Sequence, residues 1–230
     1  MTGKNNPSEL IFDSALIAEK LQDLDSSSRL SLKDDHFISS AVVFLLVPRR
    51  DTPYDLVLIR RTTRESDKHS GEMSFPGGKF DPDEDETLLD TALRECEEEL
   101  GIPNRSLEVL GSFDDHITPK GFIITPIVGF LKGPQRFVKQ EEEVSEIVPI
   151  PVSFFADANN YRERTYMLND EMIAVGKYKY ISPGGKKYVI FGATSHLIVH
   201  YVQQVHGIPL MKKGARRLSC EDLRARFSKP

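Results

Sequence analysis

Arg94-Glu95-Cys96-Glu97-Glu98-Glu99 places four acids and an arginine in six consecutive positions. On a helix, which advances about 100° per residue, Glu95, Glu98 and Glu99 stand at i, i+3 and i+4. They gather beside the apolar face of Leu89, Ala92, Leu93, Cys96 and Leu100. Carboxylates held so close repel one another unless a cation joins them, and hard oxygen donors select Mg²⁺, Mn²⁺ or Ca²⁺ over softer-ligand metals. Mg²⁺ takes one or two carboxylates and completes its octahedron with waters and phosphate oxygens, so the pattern fits half of a metal–diphosphate site. It fits equally a solvated acidic helix face, the default for surface glutamates. Two features favour the site. The acids lie near the helix C-terminus, where the macrodipole disfavours negative charge, and they follow Gly77-Gly78, which lets backbone approach a ligand.

The elements that must position these residues are readable along the chain. A helix is predicted over Asp85 to Leu100, closed by Gly101. Ahead of it, Ile38 to Val47 is β-branched and apolar enough for a buried strand. A turn at Asp51-Thr52-Pro53 leads to Asp55–Ile59 as its hairpin partner. Thr62 to Ser74 reads as a polar loop, and Phe75-Pro76-Gly77-Gly78 as a breaker. Strands are expected at Leu107–Phe113, Phe122–Leu131, Ser145–Val152, Tyr161–Met167, Met172–Tyr180 and Lys187–Phe191, then a helix at Thr194–Val205. An amphipathic helix is expected over Asn6 to Leu24, with Asn6 as cap, Pro7 in its first turn and Glu9 in a capping box. The sum is an α/β fold, a mixed sheet between helices. It divides into a helical extension at 1–36, a main domain at 37–207 and a basic tail at 208–230.

With 230 residues, 39% hydrophobic and 28% charged, the chain has the composition of one folded domain with appendages. A net charge of −5 disfavours nucleic acid as a partner. No apolar run reaches the roughly 18–20 residues of a membrane helix. Cys96 and Cys220 make neither a disulfide framework nor a zinc site, and the N-terminus lacks a secretory core, so a cytoplasmic location is expected. From Met211 onward, seven basic residues face two acidic ones, +5 against −10 elsewhere. Such a run is usually a solvated surface helix.

Arg94-Glu95-Cys96-Glu97-Glu98-Glu99-Leu100-Gly101-Ile102 resembles the second half of the Nudix box, R-E-U-x-E-E-x-G-U, with Cys at the first aliphatic position. Upstream the box is lengthened. Glu86 stands at the family's distance from Arg94, but seven residues instead of five lie between Gly78 and Glu86, and pairing Gly78 with Glu84 lengthens the other spacer by two. Leu58-Ile59-Arg60-Arg61-Thr62 and Gly71-Glu72-Met73-Ser74-Phe75-Pro76-Gly77-Gly78 resemble the extra signature of the coenzyme A pyrophosphatase branch. Gly121–Gly129, Glu143-Val144 with Val148–Pro151, and Phe191–Thr194 continue the likeness, which spans about residues 38 to 200. That branch has an arginine four positions before Gly71, where this chain has Asp67 beside Lys68.

The resemblance implies a Nudix α/β/α sandwich and a Mg²⁺-dependent (or Mn²⁺-dependent) diphosphatase. Its metal ligands would be Glu95, Glu98 and Glu99, with Glu95, Glu98 and Arg94 as the catalytic set and Arg94 orienting the carboxylates. Glu98 is ligand or general base. Arg60, Arg61 and Arg64, with Gly77 and Gly78, would receive substrate, and a further acid would come from Glu141, Glu142 or Glu143. By the same resemblance His69 and His116 lie in loops near the site, while the helix places Cys96 in the core. The small-molecule substrate is expected to be coenzyme A or a derivative. ADP-ribose, NADH or a dinucleotide is the alternative within the class, and a nucleotide sensor without catalysis the alternative outside it.

Overall fold

The structure is a computed structural model that describes residues 10–63 and 71–227, with side chains given to Leu223. Strand β1 (Ile38–Val47) is the central strand. Its alternating side chains split the core. Ala41, Val43 and Leu45 pack into a cluster with Ala92, Cys96 and Leu100, while Phe44 and Leu46 pack on the other side with Leu197, Ile198 and Tyr201. A period-two strand buried on both faces reads as an almost unbroken apolar run, which is why this one is so visible in the sequence.

β1 forms a hairpin with β2 (Asp55–Arg61), Leu46 facing Leu56, and runs parallel to β7 (Phe122–Leu131) over nine residue pairs from Ile38↔Phe122 to Leu46↔Phe130. With β3 (Met73–Ser74) and β5 (Leu107–Ser112) the order is β3-β2-β1-β7-β5. Three strands join from the side: β4 (Gly77–Lys79) on β1, β6 (His116–Ile117) on β7, and β8 (Val144–Pro151) on β2. The one parallel pair among antiparallel ones makes the sheet mixed, as expected. A second, four-stranded sheet comprises β9 (Tyr161–Leu168), β10 (Glu171–Ile181), β11 (Lys187–Phe191) and β12 (Ala215–Arg216). Helix α2 (Leu88–Leu100) covers one face of the large sheet, α4 (Gly192–His206) the other. The short helix α3 (Val152–Ala156) packs against α4.

Several expectations change: α2 starts at Leu88 behind its Thr87 cap, not at Asp85, and Met73–Ser74 at the end of the expected loop form β3. The N-terminal helix is shorter: α1 spans Ser14–Glu19, because the Asp13 carboxylate accepts the Ala15 and Leu16 N–H groups and starts the helix there. Asn6, Pro7 and Glu9 lie outside the described residues. The Phe75–Gly78 breaker becomes sheet from Gly77 onward, Val42 pairing with Gly77 and Ala41 with Gly78. A Cβ on Gly77 would sit 2.3 Å from the Ala41 carbonyl, so only glycine lets this strand lie so close. The tail is docked instead of solvated. β12 adds in parallel to β10, and helix α5 (Cys220–Phe227) buries Leu223 against Phe37, Ile117 and Ile123.

Candidate active site

Helix α2 starts at a capping box. The Thr87 hydroxyl accepts the Asp90 N–H at 3.2 Å and the Asp90 carboxylate accepts the Thr87 N–H at 2.8 Å. It ends at Gly101 in the left-handed conformation, φ 64°. Ala92, Cys96 and Leu100 fix its rotation against the sheet, and that rotation turns Glu95 and Glu99 toward β4. Cys96 is 1% exposed, its thiol pushed up to about 12 chiefly by burial, so it is an inert core residue.

Glu99 is 2% exposed, and its Oε2 accepts the Gly77 N–H at 3.0 Å. Burial, the largest cause, lifts its carboxyl to about 8; the Gly77 bond pulls the other way, and Glu95 and Glu143 add like charge. The Glu95 carboxyl is also raised, by desolvation first, with Arg94 opposing. A Cβ on Gly78 would lie 2.1 Å from Glu95 Oε1, so Gly78 makes the space that the carboxylate occupies. Glu98 lies farther out, its side chain 55% exposed, with Oε2 accepting Arg94 Nη1 at 3.4 Å.

Arg94 is gripped by Asp85, a residue that the sequence reading passed over. Nε and Nη2 donate to Asp85 Oδ1 and Oδ2 at 2.8 and 2.9 Å, a bidentate pair. Asp85 also accepts the Thr91 hydroxyl and the Asp81 N–H, and Arg94 holds its carboxyl well below the usual carboxylate range. From this anchor Arg94 Nη1 reaches Glu95 Oε1 at 3.2 Å. Asp85 therefore stands where the resemblance pointed to Glu86 or Glu84. Glu86 is exposed, and Glu84 is a peripheral partner 3.4 Å from Arg94. The lengthened box is taken up by a turn in which the Asp85 N–H donates to the Asp81 carbonyl. The signal available was an acid two residues ahead of a Thr cap.

The second acidic stretch sits on a turn tied to the end of α2, the Gln140 N–H donating to the Glu99 carbonyl at 3.1 Å. Of its acids, Glu143 is the one whose charge bears on both Glu95 and Glu99. All three acids are exposed, and the Glu142 carbonyl accepts the Thr62 hydroxyl. Of the three arginines, the described two, Arg60 and Arg61, reach different groups. The charge of Arg61 reaches Glu99. Arg60 donates to Glu146 at 3.0 Å and, with Lys187 and Tyr188, lines a separate cavity of about 420 Å³. Arg64 and His69 lie outside the described residues. His116 is buried in β6 against His196 of α4, away from the α2 carboxylates.

Among the described residues, no three His, Cys, Asp or Glu side chains are arranged as a ready-made metal cage. The donor set nevertheless fits a hard divalent ion. Glu95 and Glu99 are desolvated carboxylates on one side of α2, with Glu143 near and only part of their charge met by Arg94 and Arg61, and a cation that keeps waters needs no complete cage.

The model of the NUDIX domain matches residues 37–167, more than half of the chain. The Nudix hydrolases NudL of Yersinia pestis (strain Pestoides F) and of Yersinia pseudotuberculosis serotype O:1b are each 34% identical over 161 residues, 70% of this chain and 78% of theirs. A MutT/nudix family structure from Enterococcus faecalis superposes with a TM-score of 0.47 at 16% identity, covering 78% of this chain and 66% of its own. The chain belongs to the Nudix family, and with its box helix and fold it is a Nudix hydrolase, an enzyme of nucleoside diphosphate-linked substrates.

Proposed function

We propose that this Nudix hydrolase is a Mg²⁺-dependent diphosphatase of coenzyme A and its derivatives, releasing 4′-phosphopantetheine and adenosine 3′,5′-bisphosphate. The observation that carries the chemistry is the desolvated Glu95–Glu99 pair set against the Gly77-Gly78 strand. The substrate assignment draws on the signature Gly71–Gly78 with Leu58–Thr62, which brackets that strand.

Glu95 and Glu99 would hold the ion, with Glu98 and Glu143 at its margin; Mn²⁺ would fit the same oxygen donors. The ion supplies charge neutralisation for the diphosphate and acidifies a bound water. The chain's own work is positioning. Asp85 fixes Arg94, Arg94 fixes Glu95, and the Gly77 N–H fixes Glu99, so the carboxylates need not reorganise. Glu98, exposed and only loosely held by Arg94, is free to move a proton as general base. Arg61 adds positive charge beside Glu99 for a phosphate, and the Arg60–Lys187 cavity offers a place for a more distant one, such as the 3′-phosphate.

A second reading rests on Asp67. With an acid where the branch has arginine, ADP-ribose, NADH or a dinucleotide becomes the preferred substrate of the same machinery; a nucleotide sensor would be expected to lack the carboxylates that are present here. Product analysis with coenzyme A, ADP-ribose, NADH and a dinucleoside polyphosphate, with and without EDTA, separates these. EDTA-sensitive release of adenosine 3′,5′-bisphosphate from coenzyme A in preference to the rest is the expected result. Cleavage of the others alone moves the assignment to the second reading, and binding without cleavage supports the sensor.

A further inference from the structure

On the α4 face, across the large sheet from the carboxylates, lies a cavity of about 550 Å³ lined by His200, Gln203, Gln204, Met211 and Arg217. Its volume is in the range of small-molecule sites. Arg217 follows β12, and its place is set by its neighbour. Arg216 clamps Glu171 at 2.8 Å and Asp222 at 2.6 Å, and its Nη1 donates to the Arg217 carbonyl at 2.8 Å. The backbone is thus fixed while the Arg217 side chain turns inward.

Arg217 is half-buried, and its Nε, shielded from solvent, has no hydrogen-bond partner. Its ionisable neighbours are the phenols of Tyr161 and Tyr178, kept neutral chiefly by burial, and among the described residues no carboxylate offsets its charge. Its charge bears instead on His116, His196 and His200, whose imidazoles are held neutral chiefly by burial. The His196 Nε2 in this group is also buried without a partner. A half-buried cation with a shielded, unpartnered N–H and no counter-charge is costly, and a planar fork of N–H donors matches an oxyanion.

His200, Gln203 and Gln204 share one face of α4 at i, i+3 and i+4. Gln204 Nε2 donates to the Lys20 carbonyl at 2.7 Å, which leaves its amide oxygen facing elsewhere. With Met211 as an apolar wall, the space exceeds what a bare ion needs.

We propose that this cavity binds a small organic oxyanion, a phosphate ester or a carboxylate, seated on Arg217 and distinct from the catalytic substrate site. The test is a titration of the full chain in EDTA with phenyl phosphate and, separately, benzoate. The readout is the NMR signals of the Arg217 side-chain N–H and the His200 ring. A saturable shift is expected with one of them, and the one that acts identifies the anion. Arg217→Met should weaken binding more than about tenfold. Gln203→Glu, at an exposed helix position, supplies an internal carboxylate and should do the same without disturbing the core. Glu99→Gln should leave the binding unchanged, which separates it from the carboxylate site. No saturable shift with either probe, or an equal shift in both Arg217→Met and Gln203→Glu, overturns the proposal.

Discussion

Glu99 and Gly78 are the residues on which the α2 site is most exposed to substitution. Glu99→Gln keeps the size and the Gly77 contact but removes a charge from the proposed ion site. Turnover with Mg²⁺ should fall by more than the about 10- to 100-fold typical of an outer partner. The rise in melting temperature expected if Mg²⁺ binds the native wild type should disappear with it. Near-normal kcat would mean that the ion is held elsewhere. Asp85→Asn, by contrast, breaks the bidentate grip on Arg94 and should cost about 10- to 100-fold while leaving the Mg²⁺-dependent stabilisation largely in place. The contrast between these residues also marks what the sequence disclosed. That Glu95, Glu98 and Glu99 would gather along one side of α2 was legible because one helical turn fixes their relation. Asp85 was not, because its role depends on a turn that folds back from Asp81, and local spacing favoured Glu86.

Among the elements, α2 bears the site and is held at both ends. Thr87→Ala removes the hydroxyl that caps the Asp90 N–H and that Asp90 in turn accepts. It should lower stability by about 1 kcal/mol, or the melting temperature by about 2–4 °C for a chain of this size. Thermal scans check the shift, and an unchanged midpoint would show that core packing alone sets the start of α2. The strands β1, β2, β7 and β10 were readable since apolar β-branched residues have few other uses. The start of α1 and the existence of β4 were not. The Asp13 cap of Ser14–Glu19 lies within the run read as helix, and a Gly-Gly pair looks like a turn until a neighbouring strand is seen to need the room.

For the whole molecule, acid is the expected weak side. Burial lowers His196 to about 3 and His200 and His206 to about 4, against about 6.5 in an unfolded chain. The unfolded chain therefore takes up protons first. The contribution of these rings to stability is full above about pH 6.5 and is lost as the pH falls toward their folded values. Urea midpoints measured from pH 7.5 down to 4.5 should decline, and His196→Gln should make the decline shallower. An equal slope in that variant would assign the acid sensitivity to other groups. The mixed sheet between helices could be argued from the order of elements. The docked tail could not, since its charge excess says surface while Arg216 and Leu223 find partners only in a folded neighbour.

The parallel pairing of β1 with β7 has a kinetic meaning. Ile38 meets Phe122, so the ladder at the centre of the sheet forms only after a long intervening segment has been closed into a loop, and that segment contains α2. Such non-local pairing slows folding. Until it forms, the core cluster beneath α2 lacks Ile127 and Leu131, the side chains that β7 brings to Ala92, Cys96 and Leu100. The apolar floor beneath the candidate site is thereby completed only by a contact between segments far apart in the chain, so a half-folded molecule would carry its glutamates on a helix whose core is still open.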